Sequence, residues 1–212
     1  MILLDPINAT TAAKVQFRMK ETATKLAGPM REISISERDL SVGDYYQGGV
    51  VGYLYVNGDP GYVAGQVHGM IAAKQDLSAL YKWSEDGEGI GGHIVGTSTA
   101  LGTGLANTNS IISHLGALAS SYAAGAARNY DGGGYDDWFL PSWHELNKIR
   151  DNRLIIGNFI TTWTTVYWTS SESTQYSYSP ATTAHSVRFD GESGWWVDWK
   201  YTRLPVRPVR YF

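Results

Sequence analysis

The aromatic residues constrain this chain most, because they are unevenly placed. Residues 1–42 contain no Trp or Tyr, whereas the 72 residues from Pro141 onward hold 14 of the 27 Phe, Trp and Tyr residues. Large rings are either packed into a core or used as contact area. The ring-rich part must therefore be a folded domain. The segment before it reads as something else, with a packed N-terminal arm of the domain equally allowed. This gives two units: 1–42, an N-terminal appendage or mounting segment, and 43–212, the main domain. Only 17% of residues are charged and 24 are Gly, against a usual ~25% charged. Disorder is excluded, since disordered chains are charged and poor in aromatics. The glycines have no period of three, which excludes a collagen-like chain. Low charge with abundant Gly, Ser, Thr and Tyr predicts a loop-rich fold with an uncharged aromatic surface, the chemistry of adaptable binding proteins.

A net charge of −3 gives no long-range pull on a phosphate backbone, so nucleic acid is not an expected partner. With no Cys, disulfides, thiolate catalysis and cysteine metal sites are excluded. No apolar run approaches the ~18 residues of a membrane span, so membrane insertion is not expected. Met1-Ile2-Leu3-Leu4 followed by Asp5-Pro6 is too short and too acidic for a secretory signal. The expected location is a virion or cell surface reached by a signal-peptide-independent route, and otherwise the cytoplasm.

Along the chain, Ala12–Ala27 reads as a helix with Val15, Met19 and Leu26 near one face and Gly28-Pro29 as its stop. Ile33 and Ile35 alternate with serines as a short strand. The run Gln47 to Val56 is β-rich and ends at Asn57-Gly58, and Val67–Ala73 is a second apolar stretch. Residues 85–104 read as loop. Asn107 or Thr108 is placed to cap a helix reaching about Ala127, with Ile111, Ile112, Leu115, Leu118, Ala119 and Tyr122 as its stripe. Ser142-Trp143-His144-Glu145 is a capping box opening a helix that Leu146 and Ile149 continue. Beyond Asn158 only strand and loop are expected, including Val187–Phe189 and Trp195–Tyr201. The prolines of Leu204–Phe212 suit an edge or a bulge.

Catalytic motifs fail on inspection. Gly87–Gly92 fits a dinucleotide glycine pattern but has no following helix, and Glu88 would repel a pyrophosphate. His144-Glu145-Leu146-Asn147-Lys148 has Lys where a zincin needs its second His. Gly96–Ala100 misses the nucleophile elbow at its last position. The five His are at least 21 residues apart, a spacing without a local metal pattern. Asp131, Asp136 and Asp137 offer oxygens for Ca²⁺, but capping turns around Gly132-Gly133-Gly134 is the simpler role. The reading is a non-enzyme with no cofactor, calcium being the one ion left open.

Several motifs occur in order: Val42–Val51, His68–Ala73, Gly96–Gly104, Gly134–Ser142, Glu145–Asn147, Tyr167–Glu172, Phe189–Gly191 and Val206–Arg210. Together they resemble a bacterial and phage domain family of unknown function that includes the C-terminal module of a collagen-like adhesin. The resemblance covers about 43–212. It implies an α+β, C-type lectin-like fold of the subgroup shared with formylglycine-generating enzymes: two helices on a small twisted antiparallel sheet, with long ordered loops. The same fold carries the variable proteins of diversity-generating retroelements, whose last ~50 residues are mutagenised to create new ligand surfaces. Formylglycine-generating activity needs cysteines and is excluded here. The Glu-Pro-Asn, Gln-Pro-Asp and Trp-Asn-Asp tripeptides of calcium-dependent sugar lectins do not occur in this sequence.

The densest ring cluster is Trp195-Trp196-Val197-Asp198-Trp199-Lys200-Tyr201. In a strand one face carries Trp195, Val197, Trp199 and Tyr201, the other Trp196, Asp198 and Lys200. Both faces cannot be core without burying the two charges, so at least one Trp should be accessible. Tyr176-Ser177-Tyr178 has the Tyr/Ser alphabet of paratopes. The candidate contact surface is Tyr176, Ser177, Tyr178, Glu192, Trp195, Trp196, Asp198, Trp199 and Tyr201. Trp168 and Phe189 read as core, and Asp137, Trp138, Arg207 and Arg210 as scaffold, with arginine forks satisfying loop carbonyls or carboxylates such as Asp136. The expected function is ligand or receptor binding by a retroelement variable protein displayed on a phage or cell surface. A non-diversified adhesin or glycan-binding module is the alternative. Expected partners are a protein or glycan receptor and, as a further option, copies of the chain itself.

Overall fold

Lys14–Gln16 is a strand and not part of a helix. β1 (Lys14–Gln16) pairs antiparallel with β2 (Glu32–Ser34), with Val15 opposite Ile33 at the centre of the register. Two β-branched residues in the central pair favour a pleated ladder over the helix expected across Ala12–Ala27. The computed structural model describes residues 14–16, 32–34, 40–84, 97–116, 121–173, 180–192 and 194–212.

β3 (Tyr45–Tyr46) turns through Gln47 (φ 43°) and Gly48 (φ 88°) into β4 (Gly49–Leu54). Two successive left-handed residues match the twist of a tight hairpin. β5 (Gly69–Ala72) follows, buried along its whole length. Then come α1 (Gly104–Leu115), α2 (Ala123–Arg128), a 3-10 turn at Gly132–Gly134, α3 (Trp143–Asp151) and α4 (Arg153–Ile156). β6 (Val166–Glu172), β7 (Thr183–Arg188), β8 (Trp196–Trp199) and β9 (Val209–Tyr211) complete the order.

The described residues are α+β, with four α-helices, the β1-β2 ladder and two larger antiparallel sheets. One sheet runs β3-β4-β5-β9 and the other β6-β7-β8. The helix expected to reach Ala127 is two helices, because α1 ends where Gly116 turns to φ 84°. α1 also starts earlier than expected. Asn107 and Thr108 lie inside it and use their side chains as cross-links rather than caps. Asn107 accepts from the Ser98 N–H and donates to the Ser98 carbonyl, 2.8 and 2.7 Å. Thr108 Oγ1 accepts from Leu140 N–H and donates to Leu140 C=O, 3.0 and 3.2 Å. The capping box at Ser142 forms as expected: Glu145 accepts from Ser142 N–H at 2.7 Å and Ser142 Oγ accepts from Glu145 N–H.

Buried rings build the core. Trp83, Tyr122 and Trp168 pack with Ile111, Leu140 and Ala184 between α1, α2 and the second sheet. Phe139, Tyr167 and Phe189 pack with Met70, Leu146, Ile149 and Val187 around α3. Trp83, Trp138 and Trp168 each place their indole N–H on a main-chain carbonyl, of Thr169, Gly132 and Tyr81, at 2.8, 3.3 and 2.8 Å. The C-terminal arginines are scaffold. Arg207 is buried on Asp76 and the carbonyls of Ala73 and Asn158. Arg210 grips both oxygens of Asp137, not Asp136, at 2.6 and 2.8 Å.

Candidate functional site

The second sheet ends on β8, which pairs with β7 alone among the described residues. An edge strand keeps one flank open, and this one carries rings. Trp195, Trp196, Trp199 and Tyr201 are 42%, 37%, 47% and 43% exposed. Cross-strand register sorts them by face. Trp196 and Asp198 share a face with Ser186 and Ala184, while Val197 and Trp199 share the other with His185 and Thr183. Trp199 and Tyr201 lie nearly parallel, ring centres 6.0 Å apart at 12°. Trp196 packs under the Arg188 guanidinium, 4.6 Å from its ring centre, and Arg188 is itself paired with Asp190.

The two charges of this cluster behave differently from expectation. Asp198 is half-buried and accepts from Ser186 Oγ at 2.5 Å. Burial pushes its carboxyl above the usual range, and the Ser186 hydrogen bond opposes part of that. Lys200 lies beyond the last residue of β8 and is buried. Its Nζ donates to Glu172 at 2.7 Å and sits 4.1 Å from the Trp83 ring centre. A lysine can be buried when a carboxylate partner and an aromatic face compensate it. Burial still pulls its ammonium below the usual lysine range, with Glu172 opposing. Lys200 thus locks the strand end to the core rather than forcing that face outward.

Trp195 precedes β8 and reaches across to α3. Its indole stacks flat on Trp143, centres 3.7 Å apart at 7°. His185 lies 5.1 Å from Trp195 and 6.4 Å from Trp143, and His144 stands edge-on to Trp143 at 4.7 Å. The Ser142 capping box sets Trp143 as the first residue of α3, so its side chain projects beside the helix start toward β7. His144 Nδ1 donates to the Thr99 carbonyl at 2.6 Å. His185 is buried and its ring donates to the Trp196 main chain; burial lowers its pKa below the usual value. Four buried side-chain atoms have no hydrogen-bond partner among the described residues: Ser84 Oγ, Trp143 Nε1, His185 Nδ1 and Arg188 Nε. Three of them lie around this ring cluster.

The structure therefore brings Trp195 together with Trp143 and His185, residues that the strand pattern alone does not connect. The available sequence signal was the capping box, which fixes Trp143 at a helix start but does not name its partner 52 residues on. Glu192 is exposed, with its main-chain N–H on Asp190. Tyr176, Ser177 and Tyr178 lie outside the described residues. Asp137, one of the three aspartates considered for calcium, has both oxygens on Arg210. Among the described residues no helix is long and apolar enough to cross a membrane. No protein-family model matches the chain, and no curated protein matches it.

Proposed function

We propose that this protein is a non-enzymatic receptor-binding protein with a C-type lectin-like fold of the formylglycine-generating-enzyme subgroup. In this reading it is a variable protein of a diversity-generating retroelement, displayed on a phage or viral particle or on a cell surface. Residues 1–42 mount it, and a protein or glycan receptor docks on the rings around Trp195–Tyr201. One observation carries the reading: the edge strand and its flanks expose four large rings together, while Trp83, Trp138 and Trp168 are buried. Rigid aromatic area near a polar rim is the anatomy of a contact surface, and aromatic anchors supply most binding energy. The α+β architecture, with two longer helices, small antiparallel sheets and much of the chain in loops, is compatible with the lectin-like fold.

Labelled protein, multimerised for avidity, is screened by flow cytometry on a panel of bacterial and eukaryotic cells. Wild type should stain a subset. A Trp196→Ala, Trp199→Ala, Tyr201→Ala triple variant should lose staining while keeping its circular dichroism and melting temperature. Retained staining refutes the surface, and unfolding of the triple variant makes these rings core. A non-diversified adhesin module would use the same face. Closely related gene copies separate the two: substitutions concentrated at 176–201 favour diversification, and an even spread counts against it.

A further inference from the structure

The atoms without partners beside α3 point to a ligand chemistry. The fully buried Trp83, Trp138 and Trp168 each seat the indole N–H on a carbonyl, whereas Trp143 is half-buried as a residue and its buried Nε1 has no partner. An orphaned buried polar atom needs an explanation, and here there are two. His185 spends one ring nitrogen on the Trp196 main chain, which leaves Nδ1 as a bare lone pair. Trp143 thus offers a donor without an acceptor, and His185 an acceptor without a donor. A hydroxyl is the simple group that answers both, since it accepts on oxygen and donates its hydrogen. The two rings stand 6.4 Å apart centre to centre, a separation on the scale of two hydrogen bonds through one oxygen.

The third part of the arrangement is the seat. Trp195 lies flat on the Trp143 face, outside the β8 ladder, whose pairing begins at Trp196. It covers a flat indole face that lies next to two unfilled polar valences. A flat wall with a few placed polar groups is how small-molecule sites fix orientation. A saturated ring bearing hydroxyls would use all three features: its apolar face on the indole and one hydroxyl between the two nitrogens.

We infer that Trp143 and His185 form a subsite for a neutral pyranose, and that Trp195 occupies the sugar ring's seat until a sugar displaces it. This deepens the receptor-binding reading and rests on it, naming a neutral glycan as the chemistry recognised at this end of the surface. Burial keeps His185 neutral near pH 7, so its Nδ1 remains an acceptor. No acid or metal takes part, and a charged sugar gains nothing from these two nitrogens.

The test titrates the full chain with methyl pyranosides of glucose, galactose, mannose and N-acetylglucosamine. Saturation-transfer NMR detects contact, and tryptophan emission follows Trp195 leaving the stack. At least one pyranoside should bind saturably and shift the emission. Trp143→Phe keeps a stacking ring and removes the N–H. His185→Gln keeps a donor for the Trp196 main chain and removes the Nδ1 acceptor. Each should weaken binding about tenfold or more, the loss of roughly one well-made hydrogen bond, with the melting curve unchanged. Trp195→Ala should bind at least as tightly as wild type, because the seat is vacated. The subsite is overturned if no pyranoside binds, if Trp143→Phe binds like wild type, or if Trp195→Ala abolishes binding. Cell staining that persists without pyranoside binding discards the subsite and leaves the receptor surface standing. Staining lost in the edge-strand variant but kept in Trp143→Phe separates the two in the other direction.

Discussion

Glu145 is fully buried, and its carboxylate collects donors from three parts of the chain. Oε2 accepts from Ser142 N–H at 2.7 Å. Oε1 accepts from Gly102 N–H at 2.9 Å, from Gly104 N–H at 3.3 Å and from the Tyr211 hydroxyl. One side chain thus ties the start of α1, the start of α3 and β9 together. Glu145→Ala leaves the buried N–H groups of Gly104 and Ser142 without acceptors, while exposed Gly102 can turn to water. At about 1–3 kcal/mol per orphaned group the loss centres on about 4 kcal/mol. Glu145→Gln keeps an acceptor for the Oε1 donors but turns an NH₂ on the Ser142 N–H, for a loss of about 1–2 kcal/mol. For a chain of this size roughly 2–4 °C of melting temperature follows each kcal/mol. The alanine variant should then melt roughly 8–16 °C lower and the glutamine variant roughly 2–8 °C lower. Urea unfolding followed by tryptophan emission, with an unchanged m-value, checks both. Burial raises the Glu145 pKa above 4.5 against the opposing hydrogen bonds. The folded state then binds the proton more tightly than the unfolded one. Stability from this group is full below about pH 4.5 and is lost as pH rises through the folded value, so the glutamine deficit should widen toward acid. Equal losses for Ala and Gln, or an alanine loss below about 1 kcal/mol, would refute the hub.

Lys200→Met removes the ammonium paired with buried Glu172 and should cost about 3–5 kcal/mol, read as a fall in urea midpoint. The Lys200→Met, Glu172→Met double variant should recover most of it. Asp198→Asn removes a carboxyl whose pKa is raised by burial; its folded form favours the proton, so wild-type stability falls as pH rises. Melting curves of the variant and wild type should therefore converge below about pH 4 and separate in the variant's favour toward pH 7. Gly133→Ala puts a Cβ 2.2 Å from Gly48 Cα at φ 69°, and backbone cannot yield cheaply. It should cost about 2 kcal/mol or more, whereas Gly65→Ala, with open space around it, should cost only the left-handed penalty of about 1 kcal/mol. Comparing their melting temperatures checks the difference.

What was legible in the sequence is what local chemistry decides. The Ser142 and Glu145 box and the strand after Gly49 both rest on neighbouring residues. The errors are long-range or shared between two states. Lys14-Val15-Gln16 satisfies a helical stripe and an alternating strand equally, and pairing with Glu32–Ser34, 18 residues away, selects the strand. Asn107 and Thr108 have the chemistry of caps, but Ser98 and Leu140 offer them main-chain partners inside the fold. Lys200 looked too costly to bury because Glu172 and Trp83 are distant in sequence. The candidate site shows the same limit. The exposed rings of the edge strand were visible in the spacing, but the contact of Trp195 with Trp143 depends on how α3 meets the second sheet.

The last strand has a consequence for how the molecule is made. β9 closes on β5, and Phe212 C=O accepts from Gly69 N–H while His68 Nδ1 approaches the same oxygen across 144 residues of sequence. Arg207 reaches Asp76 across 131. Pairings of such separation form late, because loop closure is paid for before they reward it. While the chain is being synthesised, β5 waits with one edge open until β9 leaves the ribosome, and the rings of 195–201 emerge before the sheet that β9 closes is complete. A chain stopped shortly after Tyr201 would carry every candidate contact residue and have no closed framework to present them on.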